Sequence, residues 1–307
     1  MHKIWEEYRG YFLLRRYAAL CTRSCFSSVR IEGTENIPKD GAVIVAPNHC
    51  CALMDPMVVM LAYKDKIGFG ARSDIFANPR TGAILRWLRI LPIARERNGL
   101  SEVAKNFDIF DEIVDCLAHD VPYCLYSEGM HRAERGMLPV KKGIFRIAKL
   151  AVERIDKPVY VVPMGLDYEY FFRTQGRVAI RIGEPMNMTE LFAAAADRPE
   201  GDVYRDLCTD LRERILALIG RIPERRHGQK LLRALAGLVL LPLFLICAVA
   251  GFPIWLTHAI LLARMKDKAW SHTLRFVLHL VLPIFIPFDI GFGRILNLYR
   301  NLVEDLK

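Results

Sequence analysis

His49 and Asp55, with five residues between them in Asn48-His49-Cys50-Cys51-Ala52-Leu53-Met54-Asp55, are the residue types whose nearness could do chemistry. A carboxylate beside an imidazole fixes its tautomer and stabilises the imidazolium, so the free ring nitrogen can take a proton from an alcohol near neutral pH. The pair is a candidate general base. The same residue types also serve as a helix-start aspartate and a structural histidine, so their surroundings have to decide. Cys50 and Cys51 lie inside the segment and offer a second chemistry, a thiolate that forms a covalent intermediate; small buried residues are the competing reading.

The elements around the pair place it. The apolar run Ala42 to Ala46 enters as a buried strand, and the apolar run Pro56 to Ala62 leaves as a helix, so the pair sits at a strand-to-helix turn. Upstream, Ile4, Trp5, Tyr8, Tyr11, Phe12, Leu13 and Leu14 alternate with Arg9, Arg15 and Arg16, which predicts an amphipathic helix over residues 4–20. It suits a membrane surface or an ordinary core-packing role. Downstream, Ile67 to Ala71 predicts a strand, and Asn78-Pro79 is an N-cap and first-turn pair for a helix through Leu88. Ile90 to Arg95 reads as a short strand ending in an arginine, and Leu100 to about Ala118 as a helix. Val121 to Tyr126 reads as a strand, the segment after Lys141-Lys142-Gly143 as a helix to about Arg154, and Val159 to Met164 as a strand. Val178 to Ile182 adds a strand and Asp202 to Ile219 a helix. This alternation predicts an α/β fold, a mixed, largely parallel sheet flanked by helices, with polar residues at strand ends forming the site.

Composition narrows the partners. Lys plus Arg number 43 and Asp plus Glu 34, a balance of +9 that suits an anionic membrane, a phosphorylated substrate or nucleic acid. Zinc-finger spacing and aromatic-rich nucleic-acid motifs are missing, so lipid and phosphate lead and no nucleic-acid partner is expected. The eight cysteines show no disulfide framework or paired metal-ligand spacing, which points to a reducing compartment. Met1-His2-Lys3-Ile4-Trp5-Glu6-Glu7 is too acidic and too interrupted for a signal peptide, so the catalytic part is expected on the cytoplasmic side.

Four blocks in order resemble the glycerolipid acyltransferase family, which includes glycerol-3-phosphate and lysophosphatidic acid acyltransferases. Asn48-His49 through Asp55 is similar to its catalytic block; Phe76, Pro79, Gly82 and Pro92-Ile93-Ala94-Arg95 are similar to its second. Ser127-Glu128-Gly129 resembles the third, usually Pro-Glu-Gly, and Val162-Pro163 the fourth. The match covers roughly residues 30–185. Three features depart from the pattern. Five residues rather than the usual four separate His49 from Asp55, as in a variant branch; Ser127 replaces a Pro; and Met130 and His131 stand where Thr and Arg are common.

The resemblance implies transfer of a fatty acyl group from a thioester, acyl-CoA or acyl carrier protein, to a hydroxyl of a phosphorylated glycerol acceptor such as lysophosphatidic acid or glycerol 3-phosphate. His49 is then the general base, oriented by Asp55, a kind of help worth roughly 10²–10⁴-fold. Arg95 is the leading seat for the acceptor phosphate, because guanidinium grips phosphate with two parallel hydrogen bonds. Glu128 is expected to bind glycerol hydroxyls or to orient a basic side chain, and Gly129 to permit close backbone approach. Phe76, Gly82 and His131 complete the implied substrate-binding set, with Lys142 as a further phosphate candidate set against a solvated helix-start charge. Cys50 or Cys51 could instead form an acyl-enzyme. No Gly-x-Ser-x-Gly, Walker phosphate loop or metal-ligand cluster occurs, so no bound cofactor is expected.

From Ala234 to Ala263, 30 residues pass without Lys, Arg, Asp or Glu. A straight helix of that length reaches about 45 Å, against a hydrocarbon layer of about 30 Å. Pro242, Gly251 and Pro253 can break the run, and basic residues on both sides predict a hairpin with two arms of about 15 residues; a single tilted span is the alternative. Phe276 to Phe288, with Pro283 and Pro287, is too short to span and suits a re-entrant or surface-embedded segment. The expected organisation is an N-terminal amphipathic segment (1–29), an α/β domain (30–225) and a membrane-embedded helical region (226–307). Rival readings are acylation or transacylation of another lyso-lipid, and a catalytically silent protein that holds anionic lipid. The sequence sets no oligomeric state.

Overall fold

The computed structural model describes residues 3–63, 65–94, 106–222 and 230–306. Among them an eight-stranded sheet runs in the order β1 (Ser28–Glu32), β7 (Arg177–Ile182), β6 (Val159–Tyr168), β2 (Ala42–Pro47), β5 (Tyr123–Cys124), β3 (Gly68–Arg72), β4 (Ile90–Ile93), with β8 (Met186–Asn187) also on β6. All pairings are parallel except β6 with β7 and with β8. The expected mixed, largely parallel sheet is what forms.

The central strand β2, Ala-Val-Ile-Val-Ala-Pro, is buried throughout because both faces are covered. Its alternation divides the core. Ala42, Ile44 and Ala46 join α4 (Asn106–Ala118), α5 (Gly143–Arg154) and α7 (Glu200–Leu216) on one face. Val43 and Val45 meet α1 (Tyr11–Ser24), α2 (Met54–Val59) and Phe276 on the other. Short α6 (Met188–Ala194) follows β8. Asn78 caps α3 (Pro79–Trp87) as expected, its side-chain oxygen accepting from the Arg80 and Thr81 amides. Because β2, β5, β3 and β4 are parallel, the segments that leave their carboxyl ends share one edge, which carries residues 48–53, 73–78, 94 and 125–142.

The amino-terminal segment differs from the expectation. No helix covers residues 4–20; α1 begins at Tyr11, after a left-handed Gly10 (φ 80°). Ile4 is buried in the first core, Trp5 packs against it, and the Trp5 indole donates to Asp115 at 3.0 Å. Buried Arg89 donates to the Glu6 carbonyl at 2.7 Å and to the Ile4 carbonyl. Residues 4–6 are thus part of the α/β domain, because apolar side chains at its rim gain more from the core than from a continued helix. Phe12, Leu13, Leu14 and Leu20 of α1 remain exposed.

Four helices follow: α8 (Lys230–Ala250), α9 (Phe252–Arg264), α10 (Ser271–Val281) and α11 (Ile286–Leu306). Pro242 stays inside α8, and the break falls at Gly251, one of the three expected positions; the two helices have 21 and 13 residues. Pro253 lies in the first turn of α9, where its missing N–H costs nothing. Small residues let α8 and α11 approach: a Cβ on Gly291 would stand 2.5 Å from the Cys247 sulfur. The chain bends by 108° between α10 and α11, at the segment around Pro283. This region does not hang free of the domain. The Tyr17 hydroxyl donates to the Leu280 carbonyl at 2.7 Å, and Ser24 Oγ meets His279 Nδ1 at 2.6 Å, while the other side of that ring meets Asp289 at 3.0 Å.

Candidate active site

The strand β2 ends at Pro47, and the Asn48 side chain continues its pairing with β6 by donating to the Leu166 carbonyl (3.1 Å) and accepting from the Leu166 amide (2.7 Å). The backbone then turns through Cys50, Cys51 and Ala52 into α2. Ala52 takes a left-handed conformation (φ 47°), and the Met54 amide donates back to the Cys51 carbonyl at 2.9 Å. That left-handed step costs about 1–2 kcal/mol for a residue with a Cβ and accommodates the five intervening residues.

Asp55 is the hub of this turn and is fully buried. Its Oδ2 accepts from His49 Nδ1, from the Cys50 amide and from the Cys51 amide, each at 2.7 Å. Oδ1 accepts from the Tyr168 hydroxyl at 2.7 Å. Burial, followed by the Asp55 charge, pushes the Tyr168 phenol well above its ordinary range, so it remains a donor. With Nδ1–H given to Asp55, His49 Nε2 is the free basic atom. The Tyr126 ring stacks on His49 with centroids 4.1 Å apart and limits its swing.

The two cysteines are buried beside this pair. A hydrogen bond with Cys51, together with burial, pushes the Cys50 thiol well above its ordinary value, and burial pushes up Cys51. Protonated, inaccessible thiols are poor nucleophiles, so the arrangement disfavours the acyl-enzyme alternative. Cys50, Cys51 and Asp55 do bring possible ligand atoms within 4.8 Å of one another. The Cys50 thiol also donates to Asp55 Oδ1 at 3.8 Å, so the carboxylate gathers the whole turn around the His49 ring.

The turn after β5 closes the site. Gly129 is left-handed (φ 73°), which favours glycine there, and its amide donates to the Tyr126 carbonyl. Glu128 lies against the backbone of the base. Its Oε1 accepts from the His49 backbone amide and its Oε2 from the Leu138 amide, both at 2.7 Å, and the residue is buried. Its oxygens brace the backbone of the residue that carries the base. His131 stands beside the base, its ring 5.3 Å from that of His49, and the Arg132 amide donates to the His49 carbonyl at 3.1 Å.

The other expected site residues are spread more widely. Phe76 and Gly82 lie near each other at the start of α3, where a Cβ on Gly82 would meet the Phe76 carbonyl at 3.4 Å and its ring at 3.7 Å. Lys142 is exposed at the amino end of α5, near Cys208 of α7. Arg95 lies outside the described residues; β4 ends two residues before it at the same carboxyl edge. Sequence reasoning missed Asn48, Tyr126 and Tyr168 as supports of the dyad. Asn48 had a signal, a polar residue closing an apolar strand. Tyr168 had none, since it reaches Asp55 from 113 residues away.

Residues 28–167 match the family described as Acyltransferase. In sequence the chain is similar to a 1-acyl-sn-glycerol-3-phosphate acyltransferase of Bacillus subtilis (strain 168), 23% identical over 200 residues that cover 64% of this chain and 90% of the relative. Its fold is similar to the crystal structure of the 1-acyl-sn-glycerophosphate (LPA) acyltransferase PlsC from Thermotoga maritima, with a TM-score of 0.51 and 20% identity, covering 70% of this chain and 81% of that one.

Proposed function

We propose that this chain, whose residues 28–167 match the family described as Acyltransferase, is an O-acyltransferase of the glycerolipid acyltransferase kind, and that it moves a fatty acyl group from a thioester to the free hydroxyl of lysophosphatidic acid or a similar phosphorylated glycerol. The carrying observation is His49 Nδ1 held 2.7 Å from a buried Asp55, which leaves Nε2 as the base. The acceptor hydroxyl gives its proton to Nε2 as its oxygen bonds to the thioester carbonyl carbon. The carbon–sulfur bond then breaks, and His49 returns the proton to the departing thiolate of coenzyme A or acyl carrier protein. Asp55 holds the ring and offsets the imidazolium charge. Arg95 supplies the cation for the acceptor phosphate. Known family names support the phosphorylated acceptor through the relatives' titles.

The setting is a membrane. Arg233–Ala250 is long and apolar enough to cross one, with a mean hydropathy of 2.3, and most of it faces outward from the protein. Both ends of the apolar run return to the catalytic domain: Arg233 lines a pocket with Ser27 and Gln175, and Asp267 bonds His131. That supports a hairpin whose two ends lie on the active-site side, which the basic residues Lys230, Arg233, Arg264, Lys266 and Lys268 assign to the cytoplasm. The test is thioester consumption by the purified chain against a panel of lysophosphatidic acid, glycerol 3-phosphate, other lyso-phospholipids and monoacylglycerol. Turnover with phosphorylated glycerols supports the reading; thioester untouched with every acceptor overturns it in favour of a silent lipid binder.

A further inference from the structure

The loop between α9 and α10 reaches back to the catalytic edge. Asp267 Oδ2 accepts from His131 Nε2 at 2.7 Å, although the two residues are 136 positions apart. The Trp270 ring packs edge to face with His131 at 6.3 Å, and His49 lies 5.3 Å from His131, also edge to face. The matched family stretch ends at residue 167, so Asp267 and Trp270 come from outside it.

Asp267 is not a loose surface charge. Its Oδ1 accepts from the Ala269 amide at 2.9 Å, capping a short turn over Lys268–Trp270. Ala269 and Ser271 behind it are buried, and His258 Nε2 bonds the Ser271 carbonyl at 2.9 Å, which fixes the loop to α9. Burial works against its charge, but the hydrogen bonds from His131 and the Ala269 amide hold its carboxyl below the usual range. It is therefore a carboxylate whose position is set by its own loop and whose free oxygen is aimed at one ring nitrogen.

We propose that Asp267 is a positioning residue for acceptor binding: by taking Nε2–H of His131 it fixes that ring beside His49, so that Nδ1, when it carries a proton, donates to a phosphate oxygen of the acceptor's headgroup. This rests on the phosphorylated-acceptor reading above. The helical region then does more than hold the enzyme at a membrane; its loop builds one wall of the acceptor subsite. The pair is half exposed, with side-chain exposures of 23% and 51%, so it adds little to stability and its removal leaves the fold intact. Its effect lies in orientation, since an imidazole freed of one partner samples other ring angles and tautomers.

The experiment uses the full chain in lipid-containing micelles, with acyl-CoA and lysophosphatidic acid. Asp267→Ala raises the acceptor KM about 3- to 10-fold, the size of one hydrogen bond, and shifts kcat and the thioester KM much less. Asp267→Glu, which keeps the carboxylate, recovers part of the loss. An acceptor KM unchanged in Asp267→Ala overturns the inference, as does an equal loss in all three constants, which marks a structural role. Wild type measured alongside separates the two proposals: failure to acylate any phosphorylated acceptor defeats the function reading and this inference with it. Normal wild-type turnover with an indifferent Asp267→Ala defeats this inference alone.

Discussion

The Glu128 carboxylate accepts the backbone N–H of His49 at 2.7 Å, and its second oxygen accepts that of Leu138 at the same distance. A buried acid thus ties the turn after β5 to the residue that carries the base, and sets where the His49 ring starts from. Replacing it with Gln puts an amide NH₂ against one of the two N–H groups. Glu128→Gln is expected to cost about 1–3 kcal/mol of stability, the penalty for a buried donor left unpaired, and to lower kcat. Thermal unfolding and steady-state rates on the same preparation check it; a change in acceptor KM alone would show Glu128 binding substrate directly.

His49→Ala should abolish acyl transfer, and Asp55→Asn should lower it by roughly 10²-fold or more, because the base or its orienting partner is lost. Retained turnover in folded His49→Ala enzyme would falsify the general-base mechanism.

Cys50→Ala and Cys51→Ala should keep most activity, and neither thiol should react with a small alkylating reagent in the folded protein, given their burial and raised pKa. Mass spectrometry after alkylation reads this. Loss of turnover in either variant would restore the acyl-enzyme route.

Arg95→Ala should raise KM for a phosphorylated acceptor by roughly 10- to 150-fold, the size of a charge-assisted contact of about 1.5–3 kcal/mol. The thioester KM should move far less. Equal acceptor KM in the variant and wild type removes Arg95 from the site.

For topology, single cysteines placed near Arg226 and Lys268 should both escape an impermeant thiol reagent applied to intact cells. Labelling of only one shows a full crossing and defeats the hairpin.

What the sequence determined by itself is local. The alternation of apolar strands and helices, the cap at Asn78, and the His49 to Asp55 segment at a strand-to-helix turn each depend on neighbours a few residues away. They were legible for that reason. The parallel sheet then brings residues 48–53 and 125–142 to one edge, which the order of the blocks already implied. Tertiary structure alone decided who holds the dyad. Glu128 reaches the His49 amide across 79 residues and Tyr168 reaches Asp55 across 113, while beside the dyad Asp267 reaches His131 across 136. A hydrogen bond forms wherever folding brings donor and acceptor to about 2.7–3.0 Å, and spacing along the chain carries no trace of that distance. The same reason moved the start of α1: Ile4 and Trp5 read as part of an amphipathic helix until the core of the α/β domain offered them a better place to be buried.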